Sequence, residues 1–156
     1  MQFYSTNRKT SPVSLCEAVV RGLAADRGLF MPEVIRRFPP AFYQNMKEMT
    51  LREISFVVAE AFFGEDVEAG KLKEIVDETL NFDIPLVQVA DNRYSLELFH
   101  GPTLAFKDVG ARFMARLLAY FNKQEGERQV NVLVATSGDT GSAVANGFVP
   151  YCQVLK

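Results

Sequence analysis

Val130-Asn131-Val132-Leu133-Val134-Ala135-Thr136-Ser137-Gly138-Asp139-Thr140-Gly141 is the stretch that decides the fold class. Val130 to Ala135 is a short apolar run with the composition of a buried strand. It enters a glycine turn, and Ser142 to Asn146 can start a helix. Strand, glycine turn and helix make the unit of an open α/β sheet. The expectation is an α/β protein: a helical N-terminal lobe, then the beginning of an open, mostly parallel sheet with flanking helices, Val130 to Ala135 being one of its strands.

Working upstream, Val109, Phe113, Leu117 and Phe121 recur every four residues while Arg112, Arg116 and Lys123 occupy another face. That spacing predicts a helix from about Asp108 to Asn122. Leu86 to Val89 and Tyr94 to Phe99 flank Asp91-Asn92 and read as two strands joined by a tight connection. Before Pro85 the signals are helical. Ser14-Leu15-Cys16-Glu17 reads as a capping box with Gly22 as its stop, and Thr50-Leu51-Arg52-Glu53 repeats the signature. Ile54, Val57, Val58, Ala61 and Phe62 then follow one helix face up to Gly64, and Leu72, Ile75, Val76, Thr79 and Leu80 mark another helix. Such stripes are core packing rather than cofactor contacts. A boundary around Asn81 to Pro85 separates a helical domain, residues 1–82, from an incomplete sheet-containing domain, residues 83–156.

Composition narrows the function classes. The 156 residues are 48% hydrophobic and 23% charged, the make-up of an ordinary globular chain. Lys and Arg number 17 against 19 Asp and Glu, for a formal charge of -2, and no basic block points to nucleic acid. Cys16 and Cys152 lack the spacing of a zinc site or disulfide scaffold, which fits a reducing compartment. Met1 to Thr10 lacks a signal-peptide pattern and no apolar run reaches spanning length, so a cytoplasmic protein acting on a small molecule is expected, without a membrane partner.

Three places can carry chemistry. The loop Ser137 to Gly141 offers amides at a helix start, where an anion is favoured; a carboxylate suits it better than a nucleotide phosphate, since neither a P-loop nor a dinucleotide fingerprint is present. Equally, the loop reads as a plain strand-to-helix turn capped by Asp139 or Thr140. Lys107, between Phe106 and Asp108 at the start of a helical stripe, is either a solvated surface charge or an amine whose apolar upstream neighbours favour Schiff-base chemistry. His100, the single histidine, beside Gly101-Pro102, is a structural hydrogen-bond partner or an acid, base or phosphate donor. No second histidine or cysteine stands at metal-ligand spacing from it.

The segment Leu98-Phe99-His100-Gly101-Pro102-Thr103-Leu104-Ala105-Phe106-Lys107-Asp108 resembles the cofactor-lysine signature of the threonine synthase family. Ala135 to Gly141 resembles its glycine loop. Tyr4-Ser5-Thr6 and Gly22 to Glu33 resemble its opening motifs, although a glycine often stands where this chain has Arg27, a departure that touches a turn. The resemblance runs over residues 1 to about 148 and implies the fold of tryptophan-synthase-β-like pyridoxal-phosphate enzymes.

It also implies the conversion of O-phospho-L-homoserine and water to L-threonine and phosphate. Lys107 would carry pyridoxal 5'-phosphate as a Schiff base and, once freed, move protons at the α and β carbons. Phe106 and Asp139 would adjoin the cofactor, with Asp139 near its ring hydroxyl, where many related enzymes have Asn. Ser137, Gly138, Asp139 and Thr140 would hold the substrate carboxylate. Family members are usually well over twice this length, and their later part supplies the cofactor's phosphate loop and the partner of its pyridine nitrogen. The expectation is that the chain as given is not a competent enzyme, with an apolar sheet edge left open at Val130 to Ala135. A related β- or γ-eliminating lyase and a catalytically silent fragment are the competing readings.

Overall fold

A computed structural model describes residues 1–126, 128–136 and 138–151 of the chain. It divides into two units, Met1–Asp77 and Glu78–Lys156.

In the first unit a three-stranded antiparallel sheet runs in the order β2-β1-β3, with β1 at Gln2–Ser5, β2 at Val13–Ser14 and β3 at Phe30–Pro32. Phe3 faces Val13 on one side and Pro32 on the other. Alternation along β1 turns Phe3 and Ser5 inward, where both are buried. This sheet was not expected from the sequence, because strands of two to four residues are too short to leave a period.

Ser5 is buried because its hydroxyl donates to Asp26 Oδ1 (2.5 Å), while the amides of Gly28 and Lys9 donate to the same carboxylate (3.0 and 2.9 Å). The Ser5 hydroxyl bond, followed by those amides, holds the Asp26 carboxyl below its ordinary range. A Cβ at Gly28 would lie 2.0 Å from Ser5 Oγ, so only glycine fits. Between them Arg27 sits at φ 67°, in the left-handed region.

Helix α1, Leu15–Arg21, forms half of the expected capping box. Ser14 Oγ accepts from the Glu17 amide (3.2 Å), but the Glu17 carboxylate pairs forward with Arg21 (3.0 Å). Gly22, at φ 71°, ends the helix by donating to Ala18 O. After α2 (Pro40–Asn45) and a 3-10 turn at Met46–Glu48, α3 spans Leu51–Phe63 with its box complete: the Thr50 amide donates to Glu53 Oε2 (2.7 Å) and the Glu53 amide to Thr50 Oγ1 (3.3 Å). The expected stripe of α3 is only half-buried, and the buried residue of that helix, Ala59, is not one of the five. In α4, Ala69–Thr79, the residues marked by spacing are the buried ones, led by Leu72 at 0% exposure.

The second unit opens with an antiparallel hairpin, β4 (Leu86–Ala90) and β5 (Arg93–Leu96), pairing Leu86 with Leu96 and Gln88 with Tyr94. Asn92 turns it at φ 55°, a conformation asparagine tolerates. Helices α5 (Lys107–Gln124) and α6 (Asp139–Phe148) pack against each other. At Gly147 an added Cβ would meet Ala111 O at 3.1 Å and Arg112 N at 3.3 Å, so the two backbones approach directly.

Two expectations are corrected. Arg112, read as lying on another face from Leu117 and Phe121, is buried as they are: its guanidinium donates to Glu78 O (2.5 Å) and Asn81 Oδ1 (2.8 Å), so bonding capacity rather than hydropathy decides its side of α5. Val130 to Ala135 forms no strand, and Leu133 is 95% exposed. A parallel strand exists only through its neighbours, and among the described residues both sheets are antiparallel.

Arg27 supplies a test. Arg27→Gly removes a side chain from a left-handed backbone and should raise stability by about 1 kcal/mol in chemical denaturation. An unchanged or lower midpoint would mean that this turn stores no strain.

Candidate functional site

The turn before α5 is built around one carboxylate. Leu104, at φ 57°, donates its amide to Gly101 O (3.1 Å), and the Asp108 amide donates to Ala105 O (3.0 Å). The Asp108 side chain, fully buried, folds back over the turn: Oδ2 accepts the Thr103 amide (2.9 Å) and Oδ1 the Thr103 hydroxyl (2.6 Å). Gly101 lies against it, where a Cβ would come within 2.6 Å of Asp108 Oδ2. With Asp108 turned inward, its neighbour Lys107 is carried outward at the first residue of α5.

Lys107 retains 31% of its side-chain exposure. Its Nζ lies 4.4 Å from the centre of the exposed Phe106 ring and donates to Asp139 Oδ2 at 2.7 Å. Asp139 is the first residue of α6, where a negative charge is favoured by the helix dipole. Its second oxygen accepts the Thr140 amide (2.8 Å), and the Gly138 amide donates to Thr136 Oγ1 (3.3 Å). The Lys107 bond first, and the Thr140 amide second, hold the Asp139 carboxyl below its ordinary range.

The residues singled out in the sequence therefore fall as follows. Lys107, Phe106 and Asp139 come together, and Gly138 and Thr140 flank Asp139. Ser137 lies outside the described residues, as does Cys152. Two of the loop amides, those of Gly138 and Thr140, already have acceptors within the loop. His100 Nε2 lies 2.7 Å from Glu97 Oε2. Among the described residues no cluster of His, Cys, Asp and Glu could hold a metal, and no helix is long and apolar enough to cross a membrane.

Sequence reasoning missed Asp108 and Arg112. The signal for Asp108 was a threonine five residues ahead of an acidic residue in a first helical turn, a spacing that periodicity ignores. Burial above all pushes the Arg112 guanidinium down from its ordinary value, while Asp108, one turn away, opposes the shift.

Chemically the arrangement joins a primary amine, an aromatic face and a carboxylate at a helix start. Because the folded Asp139 carboxyl sits below its unfolded value, its link to Lys107 is present above the ordinary carboxylate range and is lost as pH falls through the lowered folded value. A carbon-13 titration of the Asp139 carboxyl should give a midpoint below that of a free aspartate, and Lys107→Ala should raise it toward the ordinary range. The same midpoint in both chains would remove the ion pair.

Residues 2–80 match the family model described as threonine synthase N terminus. The chain is 41% identical over 148 residues to the threonine synthase of Serratia marcescens and 38% identical over 148 residues to that of Escherichia coli, covering 95% of this chain and 34% of each relative. Its structure is similar to the crystal structure of threonine synthase from Escherichia coli (TM-score 0.86, 38% identity, 95% of this chain and 34% of that one). It is also similar to the pyridoxal-phosphate-bound threonine synthase from Brucella melitensis (TM-score 0.89, 35% identity, 95% and 33%). The chain thus spans about a third of the length of the relatives it matches.

Proposed function

The chain belongs to the threonine synthase family, and from that premise we propose that Lys107 is the cofactor-bearing lysine of an enzyme converting O-phospho-L-homoserine and water to L-threonine and phosphate. The observation that carries this reading is the Lys107 amine set 2.7 Å from Asp139 and against the Phe106 ring.

Those groups suit pyridoxal 5'-phosphate. A partly exposed amine can be reached by an aldehyde, an aromatic face can flank a planar ring, and Asp139 can accept from a ring hydroxyl. When bound, the cofactor would serve as an electron sink for the substrate α carbon, the carbon that bears the amine. Lys107 holds the cofactor through its amine; once released, the same amine takes the proton from the substrate α carbon and moves protons at the β carbon. Asp139 orients Nζ and offsets its charge. Ser137, Gly138, Asp139 and Thr140 receive the substrate carboxylate, a role supported by the helix dipole where α6 begins at Asp139. With Asp139 engaged by Lys107, the repulsion between it and that carboxylate is reduced. Sparse, widely separated cysteines support a cytoplasmic setting.

Borohydride reduction after incubation with pyridoxal phosphate, followed by peptide mapping, should place the pyridoxyl label on Lys107; a label concentrated on another lysine would overturn the assignment. In the whole protein, Lys107→Ala should lower phosphate release from O-phospho-L-homoserine by roughly 10²–10⁴-fold. Thr140→Ala should weaken substrate binding more than cofactor binding, and equal losses of both would count against the loop's role.

A further inference from the structure

We propose that Asp108 is the positioning residue for Lys107: its buried carboxylate clasps Thr103 and thereby sets the direction in which α5 presents the lysine. The inference rests on the reading of Lys107 as the cofactor lysine, and deepens it.

A carboxylate with no exposed surface is costly unless its oxygens are engaged. Asp108 uses both on a single residue, taking the amide and the hydroxyl of Thr103. Arg112, buried one helical turn along, adds positive potential. Gly101 keeps the space open, because a methyl there would collide with Asp108 Oδ2 at 2.6 Å and with the Phe82 ring at 3.0 Å. Three positions in the turn, 101, 103 and 108, thus serve one carboxylate, and Lys107 is the residue next to it. The clasp closes the chain over the first turn of α5, whose N-cap residue Phe106 supplies no side-chain cap of its own. Successive helix residues are about 100° apart around the axis, so fixing Asp108 inward fixes the azimuth of Lys107 and with it the reach of Nζ to Asp139.

The substitutions separate clasp from charge. Asp108→Asn can keep the shape and both bonds, its oxygen accepting the Thr103 amide and its amide nitrogen donating to the Thr103 hydroxyl. Asp108→Ala removes both. Gly101→Ala leaves the carboxylate in the chain but crowds it out of place, and Thr103→Val removes the hydroxyl bond alone.

The full 156-residue chain and each variant are treated with pyridoxal phosphate, reduced with borohydride, and the label at Lys107 is read as a ratio to that at Lys9, Lys47, Lys71, Lys73 and Lys123. Asp108→Ala and Gly101→Ala should lower that ratio about tenfold or more, Thr103→Val less so, and Asp108→Asn should stay within about twofold of the starting chain. General loosening would move all the lysines together, which a positioning role does not. An unchanged ratio in Asp108→Ala and Gly101→Ala overturns the proposal. So does an Asp108→Asn chain that behaves like Asp108→Ala, because the clasp would then not be the cause. Should Asp108→Ala fail to fold, Gly101→Ala and Thr103→Val decide by the same ratio. If the starting chain shows no preference for Lys107, the cofactor reading fails separately, and positioning is read without cofactor from the Asp139 carbon-13 titration. There the midpoint should stay below the ordinary range in the starting chain and Asp108→Asn, and return to it in Asp108→Ala and Gly101→Ala; no such return overturns the clasp.

Discussion

Burying a carboxylate in the second unit imposes the constraint from which its other features follow. Asp108 has no solvent to share its charge, so the surrounding chain must answer it with donors and with space. Thr103 brings the donors, Gly101 yields the space, and the chain between them turns tightly enough to put Leu104 in a left-handed conformation. Arg112 extends the same buried column by one turn and ties it to Glu78 O and Asn81. The first turns of this helix carry an aspartate and an arginine on the inside, before the apolar Leu117, Leu118 and Phe121 take over, and Lys107 is the first-turn charge that faces outward.

The exposed half of the arrangement has a different character. Lys107 and Asp139 each begin a helix, where a cation is disfavoured and an anion favoured, so the dipoles support one member of the pair and oppose the other. Their contact, a charge-assisted bond at 2.7 Å, compensates the lysine's unfavourable position. A lysine so held is available to chemistry that replaces its partner. In the core such a pair would be fixed by desolvation; here, at partial exposure, it is held by geometry.

What could be read from the sequence was what has a period or a local pairing rule. The buried face of α4 follows from the spacing of Leu72, Ile75, Val76 and Thr79, the start of α3 from Thr50 and Glu53, and the hairpin from the runs either side of Asp91-Asn92. Where the outcome depends on residues far apart in sequence, the pattern is silent or misleading. The two-residue strand β2 exists through its register with Gln2 and Phe3, and Arg112 is drawn inward by acceptors more than thirty positions earlier. The meeting of Lys107 with Asp139, 32 residues on, has no local mark at all. Val130 to Ala135 is the converse case. Its composition suits a buried strand, but a ladder needs partners, and composition specifies none.

The close approach at Gly147 makes α6 a lever. Eight residues separate it from Asp139, which at the helical rise is an arm of about 12 Å. A tilt of roughly 5° about that pivot carries the far end about 1 Å, most of the difference between a hydrogen bond and a mere proximity. The Lys107–Asp139 contact therefore depends on how α6 seats at the other end of the helix, where one added methyl group would meet the backbone of α5. Small volume at position 147 becomes precision at position 139.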